Sequence, residues 1–334
     1  MKVLVTGGAG YIGSTTAKAL QMAGHEPVVL DSLVTGPRTF VRDRIFYEGD
    51  VADRSLVRRI IAEHPDIGCT VHLAARVVVP DSVRQPAVYY RDNVAGTVEL
   101  ADELARCGRP RVVLSSSASL YGATDGTAVT EDSPLRPGSP YARSKQMAES
   151  VLADMAAAGD LGAVMLRYFN PVGSDPDLES GVHAASPTHV LGQITRAALG
   201  QQEAFTLTGT DHPTRDGTGV RDYVHVWDLA RAHVLAVERF DSLLGRAGSP
   251  SLAVNLGTGH GVTVRELLAT VEQVLGRPVP TVPGPRRPGD SAGGYACVDR
   301  ARDLLGWSAT LSVSDGVRSA LAWAARRHRV LGYH

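Results

Sequence analysis

Val3-Leu4-Val5-Thr6-Gly7-Gly8-Ala9-Gly10-Tyr11-Ile12-Gly13 is the stretch whose reading decides the fold. A short apolar run ends in a glycine-rich turn, and a helical pattern follows at once. The glycines satisfy both Gly-x-x-Gly-x-x-Gly and Gly-x-Gly-x-x-Gly. Glycines at these points permit a tight turn, let a pyrophosphate approach the backbone and let helix pack on strand. The helix N-terminus adds free N–H groups and the positive end of its dipole. Asp31 ends the second strand, 18 residues beyond Gly13, where a carboxylate accepts from both ribose hydroxyls. Such a carboxylate repels a 2′-phosphate and no arginine follows immediately, so NAD is expected in preference to NADP. Asp50 ends the third strand, at the adenine edge.

Outward from this turn the first half alternates β-rich runs with helical patterns, which predicts a parallel sheet covered on both faces. The expected strands are Lys2–Thr6, Pro27–Asp31, Ile45–Gly49, Thr70–Ala74, Arg111–Ser116 and Gly162–Tyr168. Helices are expected near Tyr11–Ala23, Arg54–His64, Pro86–Cys107 and Pro140–Ala158, the last with Met147, Val151 and Met155 as its core-facing stripe. After Asn170 a Gly-, Pro- and Ser-rich loop leads into a smaller lobe. The expected fold is thus α/β: a Rossmann-type doubly wound parallel sheet over residues 1–170, with an interleaved C-terminal α/β substrate lobe over 171–334. The chain is expected to return to the first lobe around 224–257.

Composition narrows the function. The chain has 334 residues, 43% hydrophobic and 21% charged, with a net charge of −1. This is an ordinary globular balance, without the basic excess of a nucleic-acid or anionic-membrane surface. No apolar run approaches the ~20 residues needed to cross a bilayer, and the first strand leaves no room for a signal peptide. Cys69, Cys107 and Cys297 lack metal-ligand spacing, so reduced, mostly buried thiols, no metal site and a cytoplasmic location are expected.

The chemistry is carried by Ser117 and by Tyr141-Ala142-Arg143-Ser144-Lys145. Tyr141 and Lys145, four residues apart, lie on one helix face, and Ser117 closes the fifth strand at the same sheet edge. A phenol ionises near ~10, and an ammonium beside it favours the phenolate. Beside a nicotinamide, the serine bonds the reacting sugar oxygen, the tyrosine moves its proton, and the lysine holds the ribose and lowers the tyrosine pKa.

With these residues the chain resembles the extended short-chain dehydrogenase/reductase family, and within it the nucleotide-sugar epimerases. The resemblance covers nearly the whole chain. Its carriers are Val5–Ser14, Ser115–Gly122, Ser139-Pro140-Tyr141, Leu166–Gly173 and, most specifically, Asp216-Gly217-Thr218-Gly219-Val220-Arg221-Asp222-Tyr223-Val224-His225-Val226. It implies NAD-dependent interconversion of UDP-galactose and UDP-glucose by transient oxidation at C4, with UDP-N-acetylhexosamines as further substrates. The alternative is another nucleotide-sugar oxidoreductase or epimerase of the same family, for example one acting on a UDP-uronic acid or UDP-pentose. Cofactor contacts expected on this basis are Gly7, Gly10, Tyr11, Ile12, Gly13, Asp31, Asp50, Val51, Ala74, Asn93, Tyr141, Lys145 and Tyr168. Substrate contacts are Ser117, Asn170, His189, Arg221, Arg287 and Asp290, the arginines suiting phosphate through their planar fork of donors. A homodimer through the two long helices flanking the central strands is also implied.

Departures from the family pattern bear on the substrate. Related dehydratases carry Thr-Asp-Glu where this chain has Ser117-Ala118-Ser119, which lacks the acid pair that elimination needs. Val77 stands where relatives place a lysine near the nicotinamide ribose, with Arg76 adjacent. Thr208 replaces an aromatic that supports the uracil. Gly294 aligns with the position whose bulk excludes acetamido groups, although a one-residue slip would put Tyr295 there.

Overall fold

The computed structural model describes residues 1–286 and 291–332. Its centre is a seven-stranded sheet in which every neighbouring pair runs parallel. The order is Ser251–Leu256, Gly162–Tyr168, Arg111–Ser117, Ile67–His72, Lys2–Thr6, Glu26–Asp31 and Ile45–Glu48. The first strand lies beside the fourth, so the winding reverses between Lys2–Thr6 and Ile67–His72, and a crevice opens there at the carboxyl edge. Two apolar clusters cover the faces. Val3, Val5, Val71 and Val113 point to one, and Leu4, Val28, Val112 and Leu114 to the other. Such apolar runs, buried on both faces, are what a parallel sheet requires.

The seventh strand arrives from residues 251–256, after the chain has visited the second lobe. In the opposite sense, Asp125–Val129 leaves the first half to pair with Gly293–Ala296. That second sheet is completed by Val220–Arg221 and Val262–Thr263. Tyr223–His225 pairs in parallel with Asn170–Val172, and a third core gathers Leu191, Ile194, Tyr223, Leu267 and Val271.

Two expectations about helices are corrected. The helix expected over Pro86–Cys107 is three pieces: Pro86–Tyr90, a π-turn at Arg91–Ala95 and Gly96–Arg106. In Pro140–Ala158 the inward face is Ala148, Leu152 and Ala156 together with Lys145 and Glu149, while Met147 is 45% exposed. The polar residues turn inward because the sheet edge offers them partners, which turns Met147 outward, while Met155 is half-buried and packs against the core. Of the three cysteines, all free thiols, only Cys69 is buried. Among the described residues no helix is long and apolar enough to cross a membrane.

Candidate active site

The site is assembled at the carboxyl edge of the sheet. Ser117 is the last residue of its strand, in register with Tyr168 of the next. Helix Pro140–Ala158 begins where Ser139 Oγ accepts from Ala142 N at 3.1 Å, and Pro140 fills a first-turn position that needs no N–H. This start places Tyr141 and Lys145 in the first two turns, facing the strand end. Ser117 stands beside the Tyr141 phenol, and its hydroxyl donates to Ser119 Oγ at 2.9 Å. Burial pushes that phenol above its ordinary value, and Ser117 draws it partly back. Lys145 Nζ donates to the Ser115 carbonyl at 2.8 Å. Burial pulls its pKa down to about 8, opposed by the charge of Glu149. In the chain itself, therefore, Ser117 acts on the phenol and Lys145 is engaged one turn deeper, which differs from the expected direct lowering of Tyr141 by the lysine.

Beside this trio lies the glycine cradle. A Cβ on Gly13 would sit 2.1 Å from the Gly7 carbonyl oxygen, and one on Gly7, at φ +70°, would sit 2.5 Å from Ala74 N. Gly10 caps the helix Tyr11–Met22 in extended conformation. The Asp31 carboxylate is held at the mouth, accepting from Ala9 N at 2.9 Å and Leu33 N at 2.8 Å. A backbone cradle closed to side chains, a helix N-terminus and a fixed acid at the second strand's end suit a dinucleotide with free ribose hydroxyls. The Tyr11 hydroxyl donates to Gly173 O at 2.7 Å and ties the cradle to the loop that opens the second lobe. Ile12 is half-buried, Val51 is buried, and exposed Asp50 accepts from Ala52 N at 2.8 Å within its own turn.

Other expected contacts are placed differently. Asn93 is buried, and its amide is fully used. It accepts from Arg76 N at 2.7 Å and donates to Arg76 O at 3.0 Å and Ser144 Oγ at 2.9 Å. It clamps the loop after the fourth strand onto the Tyr141 helix. The buried Tyr168 hydroxyl is bonded to Ser115 Oγ. Arg76 Nε donates to Asp92 at 2.6 Å, so it does not take over from Val77, which is 59% exposed.

Where the chain leaves the first lobe, Asn170 is half-buried and its backbone N–H donates to Asp222 O at 2.9 Å. Arg221 Nη1 donates to the Val220 carbonyl at 2.8 Å and folds toward the carbonyls of Ser291 and Ala292. His189 caps the helix Val190–Ala198, its Nδ1 accepting from Gly192 N at 3.2 Å. Arg287 and Asp290 lie outside the described residues.

Sequence reasoning missed two buried acids. Asp222 accepts from Thr258 N, Gly259 N and Ala296 N at 2.8, 3.2 and 3.1 Å, which anchors the strand end that carries Arg221. Glu149, four residues beyond Lys145, receives Arg167 and Ser116. Its i+8 spacing from Tyr141 was the available signal.

Residues 3–257 match the NAD dependent epimerase/dehydratase family. The chain belongs to that family. Its epimerase relatives include the UDP-glucose 4-epimerase of Azospirillum brasilense, 42% identical over 99% of this chain and 94% of that protein. The Bacillus subtilis UDP-glucose 4-epimerase is 39% identical over the whole of this chain and 99% of its own length. Among solved structures, UDP-glucose-4-epimerase from Stenotrophomonas maltophila, with NAD and formylated UDP-arabinopyranose bound, superposes with a TM-score of 0.93. It is 37% identical, covering 98% of this chain and 99% of that one. The Bifidobacterium longum enzyme, in complex with NAD+ and UDP, gives a TM-score of 0.89 at 34% identity, covering 98% of each chain. In this epimerase/dehydratase family setting, the glycine cradle and the Ser117–Tyr141–Lys145 trio lie side by side at one sheet edge.

Proposed function

We propose that this chain is an NAD-dependent UDP-sugar 4-epimerase that interconverts UDP-galactose and UDP-glucose. The carrying observation is the trio at the edge of the glycine cradle, with Ala118 and Ser119 in place of an acid pair. NAD held by the Gly7–Gly13 cradle and Asp31 would supply reversible hydride exchange with C4. Tyr141 accepts the 4-hydroxyl proton, Ser117 bonds the same oxygen, and Lys145 steadies the ribose side of the site. Val51, Ala74 and Asp31 flank the cofactor cradle, Asn93 and Tyr168 support it from behind, and Arg221 with Asn170 anchors the nucleotide. Tyr141→Phe is expected to lower turnover by about 10²–10⁴-fold while NAD stays bound, because only the proton-transfer oxygen is lost. Near-normal turnover in that variant would sink the reading.

We propose that acetamido sugars are accepted as well. A Cβ on Gly294 would point at Thr124 and Thr127, in the segment that follows the Ser117 turn, whereas the Tyr295 ring lies toward Gly261. Gly294 adds no side chain of its own there, which is what supports the reading. A panel of UDP-sugars with C4 configuration read by NMR tests this, and turnover confined to the non-acetylated pair refutes it. A homodimer is supported by the outward apolar face. Tyr90, Val94, Ala95, Val98 and Met147 line an open depression of about 520 Å³ between the two helices. Light scattering on the purified protein, showing a monomer, would remove that proposal.

A further inference from the structure

The Glu149–Arg167 ion pair lies directly beneath the proton-transfer trio. Both side chains are 7% exposed, and Arg167 NH2 donates to Glu149 Oε2 at 2.6 Å while Nε donates to Oε1 at 2.9 Å. A buried pair is weak evidence for stability, because desolvation offsets much of the attraction. Its other contacts point elsewhere. Glu149 accepts from Ser116 Oγ, the residue before Ser117. Arg167 NH1 donates at 3.1 Å to the hydroxyl of Tyr121, the last residue of the turn Ala118–Tyr121 that Ser117 itself caps. The Arg167 guanidinium also lies over the Tyr121 ring, 5.4 Å from its centroid. The Tyr121 hydroxyl donates onward to Asn255 at 2.6 Å, so none of these partners is free to drift.

We propose that the Glu149–Arg167 pair is the positioning element of the proton-transfer site: it fixes Ser117 against Tyr141 by holding the chain on both sides of that serine. Glu149 shares a helix face with Tyr141 and Lys145, and Arg167 shares a strand with Tyr168, so one contact locks helix to sheet at the reacting edge. Glu149 also bears on Lys145. The groups facing that ammonium are Glu149 and Tyr141 on its own helix, His72 on the fourth strand, the Ser115 carbonyl, and Arg167 with Tyr168 on the sixth strand. Glu149 is the negative charge among them that favours the protonated lysine.

The inference rests on the epimerase reading, so turnover of UDP-galactose by the parental holoenzyme is measured first. Its absence would defeat that reading. Ser116→Ala removes the one bond to Glu149, Tyr121→Phe removes the bonds to Arg167 and Asn255, and both leave the ion pair whole. Each is expected to lower kcat about tenfold, with KM and NAD content within about twofold of the parent. Glu149→Gln is expected to lower kcat further and to move the alkaline limb of the kcat–pH profile to lower pH, as Lys145 loses its negative neighbour. A parental kcat in either mild variant, or a loss shared equally by KM and NAD content, overturns the inference even if Glu149→Gln does not fold. An unmoved pH limb in a folded Glu149→Gln protein overturns it as well.

Discussion

Two glycine-to-alanine substitutions, both inside helices, are predicted to act with opposite sign. Gly13 is in the first turn of Tyr11–Met22, and Gly245 is within Phe240–Ala247. Helix propensity alone gives alanine a gain of about 0.5–1 kcal/mol at either. At Gly245 an added Cβ meets nothing within 4 Å, so the gain should appear undiminished. At Gly13 the Cβ would lie 2.1 Å from Gly7 O, 2.9 Å from Gly7 C and 2.9 Å from Gly8 Cα, all backbone atoms of the cradle. No rotamer relieves that contact, so the turn must open by about 1 Å, an overpacking cost of about 2–3 kcal/mol. The net loss of about 2 kcal/mol corresponds to roughly 3 °C in a chain of this size, against a rise of about 1 °C for Gly245→Ala. Urea denaturation gives both signs. The opened turn also displaces the N–H groups meant for the pyrophosphate, so Gly13→Ala should purify with little NAD. A Gly13→Ala protein with parental midpoint and full NAD content would refute both the geometry and the cofactor assignment.

Other outcomes follow from single sites. Buried His72 bridges Thr6 Oγ1 at 2.7 Å and Thr97 Oγ1 at 3.0 Å, and burial with the Lys145 charge pushes its pKa down to about 3. The unfolded ring takes up a proton near ~6.5 that the folded one refuses, so stability is whole above that pH and is lost as pH falls toward 3. The loss is about 1.4 kcal/mol by pH ~5.5. His72→Gln, measured by urea melts across that range, should flatten this slope by the same amount, and an identical slope would contradict it. Lys18 Nζ meets Asp175, which is fully buried, at 2.9 Å, and Asp177 at 2.5 Å. Lys18→Met should cost roughly 3 kcal/mol by stranding the Asp175 carboxylate. Asp177→Asn, at an exposed partner, should leave the midpoint where it was, and equal effects from the two would count against the assignment.

Much of this was legible in the sequence where local pattern and tertiary role coincide. Lys2–Thr6, Gly162–Tyr168 and Pro140–Ala158 end where turn and capping residues say they should. The fourth strand starts earlier than expected, at Ile67, because Gly68 reads as a breaker yet packs against the Met1 side chain, where a Cβ would lie 2.8 Å from its sulfur. The second lobe is built from strands as short as two residues, such as Val220–Arg221, whose partners lie far along the chain. No local periodicity encodes those pairings. The trio was readable because Tyr141 and Lys145 obey helix spacing. Glu149 obeys it too, but a glutamate on a helix is read as a solvated face until the arginine strand is seen behind it. The same blindness mistook outward Met147 for core, while Met155 does pack there.

The late arrival of the seventh strand sets a schedule for synthesis. As the chain leaves the ribosome, Gly162–Tyr168 emerges with one edge open, and its partner Ser251–Leu256 follows more than eighty residues later. Asp125–Val129 waits longer still for Gly293–Ala296. Unpaired edges of this kind invite pairing with other chains. The glycine cradle can form early, but the sheet that holds Ser117 and Tyr168 in register closes only when most of the chain exists. The cradle and the reacting trio thus exist before their outer edge is covered, and a product truncated there would carry both beside an open strand.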